Sequence, residues 1–262
     1  MDPDRLRRTF DQDAELYDRA RPGYPAELFE DLATEAGLRA GSRILEIGCG
    51  TGQATVPLAE RGYEIVCVEL GAELAAVARR KLARFPSVEV AIAPFESWPL
   101  PPRAFDAVVS ATAFHWIDAQ IRVTKSADAL RLRGALATIS THHVAGGDER
   151  FFAAVQACYE RWDPGTTTAS RLPKAGDIAS NSQELDRSGR FGTALFRRHE
   201  WDATYSTGEY LDLLRTYSGH GALDPPAREG LVDCIGDLIQ THFHGRVTKR
   251  YLTELRIAAR SS

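Results

Sequence analysis

The chain has 262 residues, 44% of them apolar, 26% charged and 9% aromatic, enough to bury roughly 70–75% of the unfolded surface in one large α/β domain or two small ones. A core of that size excludes disorder as the main state, and a formal charge of −4 excludes a global basic field that would draw the protein to nucleic acid or to membranes. In chain order, the opening MDPDRLRRTF lacks an apolar signal core. Next comes Tyr17-Asp18-Arg19-Ala20-Arg21-Pro22-Gly23-Tyr24-Pro25, a polar, aromatic segment punctuated by Pro and Gly. A helix is expected over 25–36, with Pro near its start and Gly37 at its end.

From 42 to 141 short apolar runs alternate with helical patterns. The runs 43–47, 64–70, 88–93, 105–111 and 135–141 are nearly continuous in Val, Ile, Leu and Ala, as strands buried on both faces require. Helices are expected over 53–61, 72–85 and 117–132, the second with Leu74, Val77, Ala78 and Leu82 on one stripe. Gly62 and Gly134 follow the last periodic residues, where left-handed caps are expected. Such alternation predicts right-handed crossovers and a parallel sheet. Downstream, 149–162 reads as a helix, 163–175 as a loop, 195–205 and 246–257 as strands, and 207–217 and 226–242 as helices between those strands. A helical insertion there would cover the ligand edge of the sheet. The stretch 107–117 is too short to span a bilayer. The four cysteines form no CxxC pair, and those in apolar strand-like runs read as buried reduced thiols, so a cytoplasmic protein is expected.

Ile44-Leu45-Glu46-Ile47-Gly48-Cys49-Gly50-Thr51-Gly52 runs from a buried strand into a helix start. Glycines let such a turn approach a ligand closely, and the helix start exposes unpaired N–H groups. Glu69, at the end of the second strand, stands where a carboxylate can accept hydrogen bonds from both ribose hydroxyls of an adenosine. Nicotinamide and flavin enzymes place a pyrophosphate on this geometry and prefer a third glycine where this chain has Gln53. Glu46 would repel a pyrophosphate but suits a cationic ligand, so the charge logic favours S-adenosylmethionine, which carries an ammonium and a sulfonium.

On these residues the sequence resembles the class I S-adenosylmethionine-dependent methyltransferases, in particular the small-molecule branch of trans-aconitate methyltransferase-like proteins. Val68-Glu69-Leu70 is similar to the family's acidic second-strand end. Phe105-Asp106-Ala107-Val108-Val109-Ser110-Ala111 with Ala113-Phe114-His115-Trp116 is similar to its fourth-strand motif. Leu130 to Ala137 is similar to its helix–glycine–fifth-strand passage, and the segment 17–25 to the part that closes over the cofactor.

The resemblance implies a Rossmann-like fold with a mostly parallel seven-stranded sheet flanked by helices and with helical substrate-capping insertions. The expected division is a lid and first helix over 1–36, an S-adenosylmethionine-binding core over 37–145, and a capping part over 146–262. It further implies that Gly48, Gly50 and Gly52, with Cys49 between them, line the methionine moiety, that Glu69 holds the ribose and that Leu70 packs on the adenine. Ser110 and Ala111 would offer carbonyls to the methionine ammonium. Where the family often has a polar contact to adenine, this chain has Ala93-Pro94-Phe95-Glu96, so Phe95 and Glu96 become the adenine candidates.

Tyr17 and Arg21 have the donors to clamp a cofactor carboxylate. Methyl transfer from a sulfonium needs alignment and water exclusion more than a strong base, and a phenol or alcohol acceptor would gain from one. His115 is the first candidate for that role, with Trp116, His142 and Tyr217 as further acceptor contacts; the histidines form no metal-ligand spacing. The expectation is methyl transfer to a small molecule, with a carboxylate or hydroxyl acceptor, no metal, no nucleic acid and no membrane. A nicotinamide-dependent oxidoreductase, a macromolecule methyltransferase and a non-catalytic binding module stay open as alternatives.

Overall fold

The structure, a computed structural model, describes residues 11, 13–165 and 172–261. One seven-stranded sheet runs through the described residues in the order β3-β2-β1-β4-β5-β7-β6. Its strands are β1 (Arg43–Ile47), β2 (Glu64–Glu69), β3 (Val88–Ile92), β4 (Phe105–Ala111), β5 (Leu130–Gly147), β6 (Leu195–Ser206) and β7 (Arg246–Ala259). The first five pair in parallel, whereas β7 runs antiparallel to both β5 and β6. Chain order reverses at the β1/β4 junction, so the carboxyl ends of those strands leave a crevice where α/β sheets bind ligands.

Both faces of the sheet are covered. The helices Ala26–Glu35 and Ala72–Leu82 bury Phe29, Leu32, Ala75 and Ala78 against Ile44, Ile65 and Val109. On the other face Leu45, Val68 and Val108 pack with Val123 and Ala127 of the helix Arg122–Ala129. A third cluster lies apart, in a C-terminal lobe. There Phe151, Leu213, Leu214, Ile235 and Ile239 close around Val247 and Tyr251 of β7. The helices Thr207–Arg215, Ser218–Gly221 and Pro225–His242 are inserted between β6 and β7, as the pattern predicts. No helix among the described residues is long and apolar enough to cross a membrane.

Three local expectations are corrected, and a disulfide is added. The helix expected over 117–132 is only Arg122–Ala129, preceded by a turn of 3₁₀ helix at Phe114–Trp116. Leu130 instead pairs with Phe105 and opens an 18-residue β5, whose length reflects its partnership with the 14-residue β7. Gly134 is not a left-handed cap. The positive φ falls on Arg133, and Gly134 is needed because a Cβ there would meet the carbonyls of Asp106 and Arg131 at 3.0 Å. The helix expected over 149–162 is divided into Glu149–Ala154 and Gln156–Trp162. Finally, Cys158 and Cys234 form a disulfide between the helices Gln156–Trp162 and Pro225–His242, their Cα atoms 5.8 Å apart, while Cys49 and Cys67 are buried free thiols. The helices Ala14–Ala20 and Gln183–Ser188 were not anticipated. The expected lid over 1–36 and the loop over 163–175 lie in part outside the described residues.

Candidate active site

The glycine loop leaves β1 at Gly48, whose N–H donates to the Val68 carbonyl at 2.8 Å and whose φ is +70°. A Cβ at this position would lie 2.5 Å from that of Ala113. Glycine is therefore required here twice, for the backbone conformation and for the approach of the segment after β4. Gly50 also has a positive φ, +57°, but a Cβ there would come no closer than 3.7 Å to Tyr17, so its constraint is conformational.

Glu69 holds this loop from β2. One carboxylate oxygen accepts the Gly50 N–H at 2.8 Å and the other the Gly71 N–H at 2.9 Å. The side chain is 6% exposed and burial raises its pKa, opposed by those backbone donors. Glu46 is buried one strand away, and desolvation pushes its carboxyl up to about 7, with Glu69 adding to the shift.

A cavity of about 400 Å³ opens along the carboxyl ends of β1, β2 and β4. The loop glycines 48 and 50, Glu69 and Leu70 form its floor, Ala93 and Phe95 its apolar side, and Ala111, His115 and Trp116 its rim. Glu96 also borders it, and its carbonyl accepts from the Lys125 ammonium at 3.0 Å. The His115 ring lies 4.9 Å from that of Trp116, and partial burial with the Arg122 guanidinium lowers its pKa.

The segment 17–25 closes this site from above. Asp13 caps the helix Ala14–Ala20 by accepting from the Leu16 N–H. Asp11 accepts from the N–H groups of Glu73 and Leu74, and an Asp18–Lys81 ion pair adds a second tie to the helix Ala72–Leu82. On the lobe side Arg21 donates to the Thr216 carbonyl at 2.9 Å, and Arg19 pairs with Asp212. Tyr24 and Thr112 share a 2.8 Å hydroxyl contact. Tyr17, Arg21 and Tyr217 therefore meet above the loop, the guanidinium 5.1 Å from one ring centre and 4.9 Å from the other.

A second cavity, of about 340 Å³, adjoins the first and shares Tyr17, Arg21, Ala111 and Tyr217 with it. Its remaining walls come from Tyr24, Glu46, Cys49, His143, Lys249 and Tyr251.

Most residues singled out from the sequence thus converge on these two cavities. Three do not line either: Ser110, fully buried with its hydroxyl donating to the Ile47 carbonyl at 2.9 Å, Gly52, which has a positive φ in the turn before the helix Thr55–Glu60, and His142. Alternation along β5 turns His142 to the other side, where its Nε2 lies 3.1 Å from the Ser140 hydroxyl, and brings His143 to the cavity. Sequence reading missed Tyr24, Thr112, Thr141, Lys249 and Tyr251. Period-two alternation in β5 and β7 would have found Thr141 with His143 and Lys249 with Tyr251; Thr112 follows β4 with a positive φ that no local signal announces.

With this geometry in hand, likenesses to known proteins acquire meaning. Residues 44–134 match the family model described as a methyltransferase domain. The chain is 35% identical over 123 residues to an uncharacterised methyltransferase of Mycobacterium tuberculosis, a stretch of 47% of this chain and 48% of that protein. It spans about half the length of the curated relatives it matches. Among solved structures it is similar to a candidate type II methyltransferase of Anaeromyxobacter dehalogenans, with a TM-score of 0.60 and 24% identity, covering 91% of this chain and 97% of that one. It is also similar to a Haemonchus contortus phosphoethanolamine N-methyltransferase solved with phosphomonomethylethanolamine and S-adenosylhomocysteine, with a TM-score of 0.56 and 17% identity, covering 98% of this chain and 60% of that one. The fold is the Rossmann-like fold of class I methyltransferases, and the stretch that matches the methyltransferase-domain model, residues 44–134, is the parallel core that carries the glycine loop and Glu69.

Proposed function

We propose that the chain transfers a methyl group from S-adenosylmethionine to a small-molecule acceptor, within the small-molecule branch that the segment 17–25 resembles. The observation that carries this reading is Glu69. It is a buried carboxylate lining a 400 Å³ cavity, its two oxygens oriented by the Gly50 and Gly71 N–H groups, with acceptor capacity left for a hydroxyl donor. Leu70, Ala93 and Phe95 provide an apolar slot of the kind an adenine fills, and Glu46 supplies a negative group on the loop side. The donor set therefore fits a cationic nucleoside better than a pyrophosphate.

When bound, the cofactor supplies a methyl group on a sulfonium, open to in-line displacement. Glu69 would hold the ribose hydroxyls, and Tyr17 and Arg21 the methionine carboxylate. Ionisation of Glu46 would balance the methionine ammonium. The segment 13–25, tied to the helix Ala72–Leu82 through Asp18 and to the lobe through Arg19 and Arg21, would exclude water from the reacting centre. In this reading 1–36 act as lid, 37–145 as cofactor domain and 146–262 as acceptor side, with His115 and Trp116 at the rim facing the acceptor.

Isothermal titration with S-adenosylhomocysteine tests the reading, with NAD and NADP run in parallel as thermal-shift ligands. Saturable binding of the former and no stabilisation by the latter is the expected result. Absence of binding at millimolar S-adenosylhomocysteine would remove the proposal.

A further inference from the structure

The second cavity carries a charge that the methyl-donor reading does not use. Lys249, one of four lysines in the chain, is 3% exposed on β7. Its ammonium donates to the Tyr217 hydroxyl at 3.0 Å and stands 5.2 to 5.9 Å from the ring centres of Tyr251, Tyr217 and Tyr210. No carboxylate of the described residues lies within ion-pair distance of it. Burying an ammonium costs several kcal/mol unless it is paired, and aromatic faces offset only part of that.

Arg21 is the second cation on this wall, over the same Tyr217 ring. The acid that borders the cavity is Glu46, and the adjoining acid Glu69 is engaged by the glycine loop. In the methyl-donor reading the methionine carboxylate goes to Tyr17 and Arg21, so it does not serve Lys249, which has no carboxylate of the described residues beside it. His143 adds no third positive charge, because burial and the Lys249 ammonium push its imidazole down to about 3. Its Nε2 is buried with no hydrogen-bond partner among the described residues. The phenol of Tyr217 is pulled below its usual range, against the effect of its own burial, by Lys249 and Arg21. The Lys249 ammonium thus acts on both His143 and Tyr217 across this cavity.

We infer that Lys249, assisted by Tyr217, anchors an anionic group of the methyl acceptor, a carboxylate or a phosphate, and that His143 offers it a neutral polar contact. The inference rests on the methyl-transfer reading and deepens it: the acceptor is an anion, and the lobe rather than the glycine-loop domain selects it.

The test uses the full chain saturated with S-adenosylhomocysteine, titrated calorimetrically with benzoate, succinate, octanoate and inorganic phosphate, and with the neutral amides of the three acids. At least one anion is expected to bind where its amide does not. Lys249→Met is expected to weaken that anion at least tenfold while changing S-adenosylhomocysteine affinity less than twofold. Tyr217→Phe should weaken the anion by a smaller factor, and it keeps the test decisive should Lys249→Met not fold. A preference for phosphate over the acids assigns the group as a phosphate, and the opposite preference as a carboxylate. The inference is overturned if no anion binds the loaded protein, if amides bind as well as acids, or if Lys249→Met weakens both ligands equally or neither. Failure of the wild-type chain to bind S-adenosylhomocysteine would instead remove the methyl-transfer reading, and this inference with it.

Discussion

The side proposed to hold the cofactor and the side proposed to face the acceptor are built on different principles. Around Gly48 the site consists mainly of backbone: strand ends, a left-handed turn and loop N–H groups held by one carboxylate. Around Lys249 it consists of side chains delivered from β5, β7 and the inserted helices, with Trp201 stacked 4.8 Å over Tyr251 and Tyr205 and Tyr251 joined through their hydroxyls at 3.1 Å. A backbone site tolerates little substitution and keeps one ligand. A side-chain site can be altered without disturbing the sheet, which suits the part that chooses among acceptors.

If this division is right, substitutions on either side should separate cofactor binding from the rest. The largest effect is expected from Gly48→Val, where both the positive φ and the 2.5 Å approach to Ala113 forbid a branched side chain. S-adenosylhomocysteine affinity should fall at least about 100-fold, or about 2.7 kcal/mol, by calorimetry. Retained affinity in a folded variant would refute the loop assignment.

In the lobe, Ile235 is fully buried, and Ile235→Ala should cost about 2–5 kcal/mol of stability in denaturant unfolding. Below the unfolding transition its S-adenosylhomocysteine affinity should stay within about twofold of wild type, the bound used for sites that do not couple. Parallel loss of affinity would show that the two sides are not separable.

Glu69→Gln is a smaller change, because the amide keeps the shape but loses the charge and one acceptor. Cofactor affinity should fall about tenfold, in the range for hydrogen bonds to charged groups, and an unchanged constant would contradict the ribose assignment.

The mildest effect is a pH dependence. The Glu46 carboxyl has a folded-state value of about 7, above its ordinary 4.5. Between those values the folded chain keeps a proton that the unfolded chain has lost, so stability falls as pH rises through that window and levels off above about 7. Glu69, raised in the same direction by burial, adds with the same sign. A bound methionine ammonium favours the ionised form of Glu46, so S-adenosylhomocysteine should bind up to about tenfold more weakly at pH 6 than at pH 8. Glu46→Gln should flatten the binding slope and reduce the stability slope to the part that Glu69 contributes. A binding slope that persists in that variant would assign it to another group.

The amino-acid sequence by itself determined the parallel core and the place of the glycine loop. Apolar runs separated by amphipathic helices admit few arrangements, and the glycine loop, Glu46 and Glu69 act through groups that are local in sequence or one crossover apart. The helical insertion between β6 and β7 was legible for the same reason, since capping and periodicity are local. Register and long-range pairing decided the rest. Whether His142 or His143 faces the cavity depends on how β5 aligns with β7, where a one-residue slip exchanges the faces. The Cys158–Cys234 bridge joins residues 76 apart, and the Lys249–Tyr217 contact links a strand to the end of a helix 32 residues earlier. No periodicity encodes such meetings. They exist because burying the lobe's apolar faces against β7 leaves the chain one compact way to place them.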